Sequence, residues 1–425
     1  MSLDKKDFPR RTLLKAAGGG VAAAVATPFL GGPTMADPYK TATFHQLLLL
    51  SNEWCTIIND AAHRAADVLG LSYKATTFNL NDSIALTQAQ AAAAAGERLF
   101  LTNSADGSSL RPISQMLGTV GGYLVNVGSN LPWSSPIEDG PAFTQGFIAR
   151  ENIGFYNSVK CMLNQAVKKF GPNLKILHIT AAKGAFVDNL RSNAVHHAVS
   201  EFPGAKIVGS LPGNWNAEDG QKATEDLISR YGIPNCIVAQ NDGELTGVLA
   251  ALRGLGIRAG DQVLTCGIDG STDILRAIKS GKVEATCFQS PAYHGIQATA
   301  RLFDALNGYK PSAPERFVGF TGVLVTKANV DGVLKRYVDN KNLPFDPKLL
   351  SHVISGDKWD PQAPLVPIKY EDYYASAGIA KPAGWQPPAA YAQSIQDGEF
   401  DKVTQRYQAA YKLSLEDFDY PGFKG

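Results

Sequence analysis

The stretch IVAQNDGELTGVLAALRGLGIRAGDQVLTCGIDGSTDILRAIKSGKVEATCFQSPAYHGIQATARLFDALNG, Ile237 to Gly308, decides the fold. Three short apolar runs punctuate it: Ile237-Val238-Ala239, Val263 to Cys266, and Val283 to Phe288. Each is a few residues long and bounded by polar residues or glycine, as expected of a buried strand. Helical segments lie between them, Glu244 to Leu255 and Thr272 to Ser280. Gly256 and Gly281 stand where a helix end takes a left-handed residue. Strands alternating with helices predict a parallel sheet. A polar residue follows each strand in turn: Asn241, Asp269 and Gln289. Ligands of open α/β sheets bind beyond the carboxyl ends of the strands, so these three residues should converge on one crevice. Taken singly, Asn241-Asp242 reads as a helix cap and Asp269-Gly270 as a turn. Taken as three successive strand ends, they read as a site.

The same alternation runs upstream. Strands at Ala42 to Leu50, Tyr73 to Leu80, Arg98 to Thr102 and Tyr123 to Val127 enclose helices at Thr56 to Leu69, Thr87 to Ala95 and Leu110 to Leu117. A second series opens with a helix, Phe155 to Phe170. It continues through strands at Lys175 to Ile179 and Lys206 to Ser210, and helices at Val187 to Glu201 and Ala217 to Tyr231. Two such series in tandem predict an α/β protein of two doubly wound parallel-sheet lobes joined by a hinge, with a cleft between them. The expected lobes are residues 37–150 plus 291–320 and residues 151–290 plus 321–342. The crossings are expected at Phe147 to Asn152 and at Gln289-Ser290-Pro291. Residues 343–425 break the pattern. They are rich in tryptophan, tyrosine and proline, too aromatic for a disordered tail. We expect a C-terminal extension wrapped over the lobes, with a helix from Phe400 to Leu413.

Residues 1–36 read as an export signal. Arg10-Arg11 and a lysine at 15 precede a weakly apolar, uncharged run from Ala16 to Leu30, and Thr34-Met35-Ala36 offers a small-x-small cleavage site. The arginine pair points to the twin-arginine route and a periplasmic location. The remainder has an ordinary globular composition, 44% hydrophobic and 19% charged. Forty basic residues against 39 acidic, without a basic stripe, argue against a nucleic-acid or membrane-surface partner. The five cysteines, Cys55, Cys161, Cys236, Cys266 and Cys287, form no Cys-x-x-Cys or Cys/His cluster. No metal or other cofactor is expected, and no disulfide pair is singled out. Neither a Gly-x-Ser-x-Gly elbow, a His-Glu-x-x-His motif nor a dinucleotide glycine fingerprint is present, so an enzyme is not expected.

In order and spacing, Ala239-Gln240-Asn241-Asp242, Gly267-Ile268-Asp269-Gly270, Ile278 to Lys282 and Ala285 to Pro291 resemble the type I periplasmic binding proteins. More narrowly, they resemble the ribose- and galactose-type sugar-binding components of ABC importers. The resemblance covers about Phe44 to Val325. It implies that Asn241, Asp269 and Gln289 hydrogen-bond sugar hydroxyls, that Trp54 and Trp215 pack on the sugar ring, and that Arg191 binds ligand. Asn52, in Ser51-Asn52-Glu53 just before Trp54, joins that set. These groups suit a sugar: a carboxylate accepts, an amide does both, an arginine donates as a rigid fork, and an indole covers a C–H face. It further implies a monomer that hands a sugar or polyol to a membrane permease. A ligand sensor read by a membrane receptor kinase is the alternative. The chain departs from the pattern twice. Val127-Gly128-Ser129-Asn130 lacks the acidic residue that pentose and hexose binders carry after the fourth strand, and Cys55 replaces a second aromatic. Both departures point away from ribose and simple hexoses, toward a larger or less hydroxylated ligand.

Overall fold

The computed structural model describes residues 39–424, apart from 105, 129, 131–132, 134–139, 141, 143–146 and 184. The expected signal segment, residues 1–36, and Ser129 lie outside the described residues. The first lobe carries four parallel strands, β1 (Thr43–Leu48), β2 (Ser72–Thr77), β3 (Leu99–Thr102) and β4 (Tyr123–Asn126), in the order β2-β1-β3-β4. Helices α1 (Glu53–Val68), α2 (Asp82–Ala94) and α3 (Leu110–Thr119) connect them. Leu47, Phe100 and Leu124 from the sheet meet Ala85, Ala89, Ile113 and Leu117 from the helices in one core. Each of those side chains is essentially fully removed from water, the main favourable term of folding.

The chain then passes through β5 (Phe147–Ala149) into α4 (Glu151–Phe170) and the second lobe. Its parallel strands are β6 (Lys175–Thr180), β7 (Lys206–Pro212), β8 (Cys236–Ala239), β9 (Leu264–Asp269) and β10 (Ala285–Phe288). The crossover helices are α5 (Phe186–Ser200), α6 (Ala217–Tyr231), α7 (Asp242–Gly254) and α8 (Thr272–Lys279). Helix α9 (Pro291–Leu306) returns to the first lobe and packs on α1. After β11 (Val318–Phe320) the chain comes back once more as β12 (Val323–Val325), antiparallel to β10. The second sheet thus runs β12-β10-β9-β8-β6-β7. The chain changes sides three times, after β5, β10 and β11; the third passage, Thr321-Gly322, adds to the two crossings read from sequence.

Several helices begin earlier than their apolar periodicity suggests, because a capping side chain fixes the first turn. The Asn52 carboxamide oxygen accepts from the Cys55 amide at 2.9 Å, so α1 starts at Glu53 and takes Trp54 into its first turn. Asn81 caps α2 in the same way, through the amides of Ser83 and Ile84.

The C-terminal extension follows α10 (Val330–Val333) and a π-helical turn, Leu334–Val338. It contains α11 (Pro347–Leu350), α12 (His352–Ser355), β13 (Val366–Pro367), α13 (Tyr370–Ser376), α14 (Ala389–Gln396) and α15 (Glu399–Ala410). Strand β13 pairs with β11, which also pairs with β5. Three buried charged groups bind the extension down. Asp304 of α9 accepts from the Ser351 hydroxyl at 2.5 Å and from the amides of His352 at 2.7 Å and Val353 at 3.2 Å. Glu315 accepts from Tyr309 at 2.8 Å, Tyr407 at 3.1 Å and Arg406 at 2.6 Å. The Arg336 guanidinium donates to the carbonyls of Ser414, Asp417 and Pro344 and lies over the Tyr337, Phe345 and Tyr420 rings.

Asp304→Ala should remove an acceptor from three donors and cost about 3 kcal/mol in urea unfolding. The pH dependence has a definite sign. Burial pushes the Asp304 carboxyl up from 3.8 to about 6, against its hydrogen bonds. The folded state therefore binds its proton more tightly than the unfolded chain. Its stabilising contribution is present in full below about pH 3.8 and is lost as pH rises through about 6. Denaturation series on wild type and Asp304→Asn should show that loss in wild type alone.

Candidate functional site

Each sheet changes its winding direction once, beside β1 in the first lobe and beside β6 in the second. Ligand crevices form at such points, outside the carboxyl ends of the strands. A cavity of about 100 Å³ lies there, with walls from both lobes.

The second lobe supplies the charged wall. Asp269 ends β9 with φ of +121°, a conformation that costs a non-glycine residue strain. Its carboxylate meets the Arg191 guanidinium of α5 at 3.4 Å, and both side chains are largely buried. Arg191 also donates to the Gln240 carbonyl. Asp242 holds the turn that follows Asp269. Its carboxyl accepts from the Gly270 amide at 2.8 Å, the Ser271 amide at 2.7 Å and the Thr286 hydroxyl at 3.0 Å. Burial, and then the nearby Asp269 charge, hold the Asp242 carboxyl well above the usual range. Asn241 caps α7, accepting from the Glu244 amide at 2.7 Å, and donates to the Trp215 carbonyl at 3.4 Å. Trp215 and its neighbour Asn214 both lie in the left-handed region, at φ of +60° and +50°. The Trp215 amide donates to buried Glu244 at 2.9 Å. Burial likewise raises the Glu244 carboxyl well above its usual range.

The first lobe supplies a less polar wall. Leu49, Leu50, Asn52, Trp54 and Cys55 come from the end of β1 and the start of α1, and Val127 and Gly128 from the end of β4. Burial pushes the Cys55 thiol up to about 11. Asn103 and Ser104 follow β3. Asn126 fixes that rim, accepting from the Ser104 amide at 3.0 Å and the Gly128 amide at 3.3 Å. Gly128 is constrained by contact: a Cβ there would stand 2.0 Å from the Asn103 side-chain oxygen. His294 of α9 sets its ring 5.4 Å from that of Trp54, edge to face. Burial lowers its pKa to about 3, so the imidazole is neutral at physiological pH. At the crossing, the Gln289 amide donates to the Asp269 carbonyl at 3.1 Å, and Ser290 takes a left-handed φ of +50°.

Asn52, Trp54, Arg191, Trp215, Asn241, Asp269 and Gln289, the residues picked out from the sequence, all border this one cavity. Two of them, Asn52 and Asn241, also cap helices, so Asn241 both starts α7 and stands on the cavity wall. Sequence reading passed over His294, Val187 and Tyr373, which also border it. His294 follows Gln289 by five residues on the largely buried α9, so its nearness to the crossing was the signal that could have found it. Tyr373 had no such signal, since it arrives from the extension.

Two lobes of opened α/β sheet around a cleft at their strand ends define a binding protein of the hinged, two-lobed class. The chain belongs to the family of the periplasmic binding protein domain, whose model matches residues 49–310. Its members bind substrates and are not enzymes. The ribose import binding protein of Haemophilus influenzae is 30% identical over 146 residues, 34% of this chain and 48% of that one. The corresponding protein of Salmonella typhimurium is 22% identical over 264 residues, 62% of this chain and 84% of that one. Among solved structures, a twin-arginine translocation pathway signal protein from Burkholderia phytofirmans superposes with a TM-score of 0.64 at 21% identity. That match covers 70% of this chain and 93% of the other. The family match ends before the extension begins.

Asp242→Ala should strand the Gly270 and Ser271 amides and the Thr286 hydroxyl, lowering stability by about 3 kcal/mol in chemical denaturation. Asp242→Asn keeps an acceptor oxygen and should cost clearly less.

Proposed function

We propose that this protein captures a sugar or related polyol in the cleft and delivers it to a membrane permease of an ABC importer, working as a monomer. The observation that carries the reading is the Asp269–Arg191 pair beside Asn241 and Gln289, with Trp54 across the cleft. Paired charges and amides match vicinal hydroxyls, and an indole matches the C–H face of a ring. The ribose import relatives support the sugar class, and the twin-arginine neighbour supports our reading of residues 1–36 as a signal for periplasmic export. We take residues 37–150 plus 291–320 and 151–290 plus 321–342 as the two lobes. Their three connections then form the hinge, and Ser290, at a left-handed φ of +50°, lies in the second of them. Hinge closure in periplasmic binding proteins is a standard example of a ligand-driven switch. A ligand touching both lobes favours the closed state only by its extra affinity for that state.

A thermal-shift panel of sugars, polyols and sugar acids should give a hit, because a ligand at 100 times its Kd stabilises the native state by about 2.7 kcal/mol. Asp269→Ala should weaken that hit by about tenfold or more, the worth of a charge-assisted hydrogen bond, and Asn241→Ala by about fivefold, the worth of a neutral one. Unchanged affinity in both variants would refute the assigned site. Replacing Arg10 and Arg11 by lysines in the full chain should abolish periplasmic accumulation; continued export would exclude the twin-arginine route.

A further inference from the structure

The cleft has a mixed lining, with apolar side chains gathered among polar ones. Asn52, Trp54, Trp215, Asn241 and Asp269 border both the main cavity and an adjoining hollow that continues past Thr246 and Ser271. Leu49, Leu50, Val127, Val187 and Tyr373 border the main cavity alone, as do the polar Asn103, Ser104, Arg191, Gln289 and His294. Among the described residues lining the cavity, the charged side chains are Arg191 and Asp269, both from the second lobe. Leu49, Leu50 and Val127 from the first lobe and Val187 from the start of α5 offer a ligand no hydrogen-bonding side chain.

Tyr373 reaches this end from the extension, and its position is fixed from both sides. Its ring packs 4.9 Å from Phe186 of the second lobe and 5.4 Å from Phe317, which leads into β11. The next residue, Tyr374, packs 5.2 Å from Trp133 of the first lobe, and the Trp385 indole donates to the Trp133 carbonyl at 2.7 Å. Asn193 of α5 donates to the Ser376 carbonyl at 3.2 Å. Helix α13 is therefore a third wall of the cleft, held to both lobes by an aromatic cluster.

We propose that the Val127, Val187 and Tyr373 end is a subsite for an apolar substituent, so that the ligand is a sugar or polyol bearing such a group: a deoxy methyl or an apolar aglycone. The hydroxylated part lies toward Asp269, Arg191 and Asn241, and the apolar part lies against the extension. The inference rests on the sugar-cleft reading above and adds a selectivity which that reading does not require. Tyr373 is a specificity-determining residue in this scheme. An aromatic side chain with few rotatable bonds suits the role, since little entropy is lost when it meets a ligand.

The test is calorimetric titration of the mature protein with matched ligands: D-galactose against D-fucose and phenyl β-D-galactoside, and D-xylose against phenyl β-D-xyloside. D-fucose lacks the galactose hydroxyl that an apolar surface would leave unpaired, which predicts about fivefold or more tighter binding, and burial of a phenyl group predicts more than about tenfold. Tyr373→Ala, and separately Val187→Ser at a half-buried position that spares the aromatic cluster, should bring the ratio of the two affinities within each pair close to one. Asp269→Ala should weaken both members of each pair. Equal or tighter binding of the unsubstituted sugars would overturn the subsite, as would a preference that survives in both variants. Sugar binding that depends on Asp269 would still stand in that case. Binding of no ligand in the set by wild type would overturn the sugar reading and the subsite together.

Discussion

One buried carboxyl group, that of Asp242, ties together the strand ends on which the cleft is built. It begins α7 after β8, takes both amides of the turn after β9, and takes the hydroxyl of Thr286 in β10. Three strands far apart in the chain thereby share one acceptor. A buried carboxyl is tolerated only with such partners, and here desolvation keeps it protonated well above the usual range. The surroundings leave it no freedom. A Cβ at Gly267 would stand 2.4 Å from its oxygen, and one at Gly270 would stand 2.9 Å from the Cα of Phe288. Within this frame Asp269 holds its uncommon φ and meets Arg191. The strain at Asp269 is stored in a turn that its neighbours overdetermine.

The sequence made the layered part of this molecule legible, because strand and helix periodicities are local. Apolar runs between glycines marked β8, β9 and β10, and the polar residue after each lies on the cavity wall. Helix beginnings were less visible. They depend on one capping side chain, such as Asn52 or Asn81, and not on a repeat. Asp242 read as a cap residue, yet its chief partners lie 28, 29 and 44 positions away, which no local pattern reports. Tyr373 was hidden for the same reason. Its place on the cleft follows from packing against Phe186 and Phe317, and composition showed only that the extension was aromatic.

The two walls of the cleft also divide its chemistry. The second lobe brings the charged Asp269 and Arg191, with Asn241, on a frame of hydrogen bonds, and the first brings uncharged groups: leucines, a valine and a buried thiol beside Asn52, Trp54, Asn103 and Ser104. Gly128 stands at the end of β4 because a side chain there would collide with Asn103. The uncharged rim noted in the sequence is thus closed by contact, with Asn126 gathering its amides.

The extension is bolted to the first lobe through Asp304 and Glu315 and to the second through Asn193 and the ring of Phe186. Its tail then returns to its own beginning, where the Leu343 and Phe423 backbones bridge and Arg336 gathers the carbonyls of Ser414 and Asp417. Two lobes linked only by a hinge can melt independently, each with its own transition. A strap sharing buried surface with both makes the loss of either lobe expose the core of the other's attachment. The strap therefore couples the stability of the two lobes.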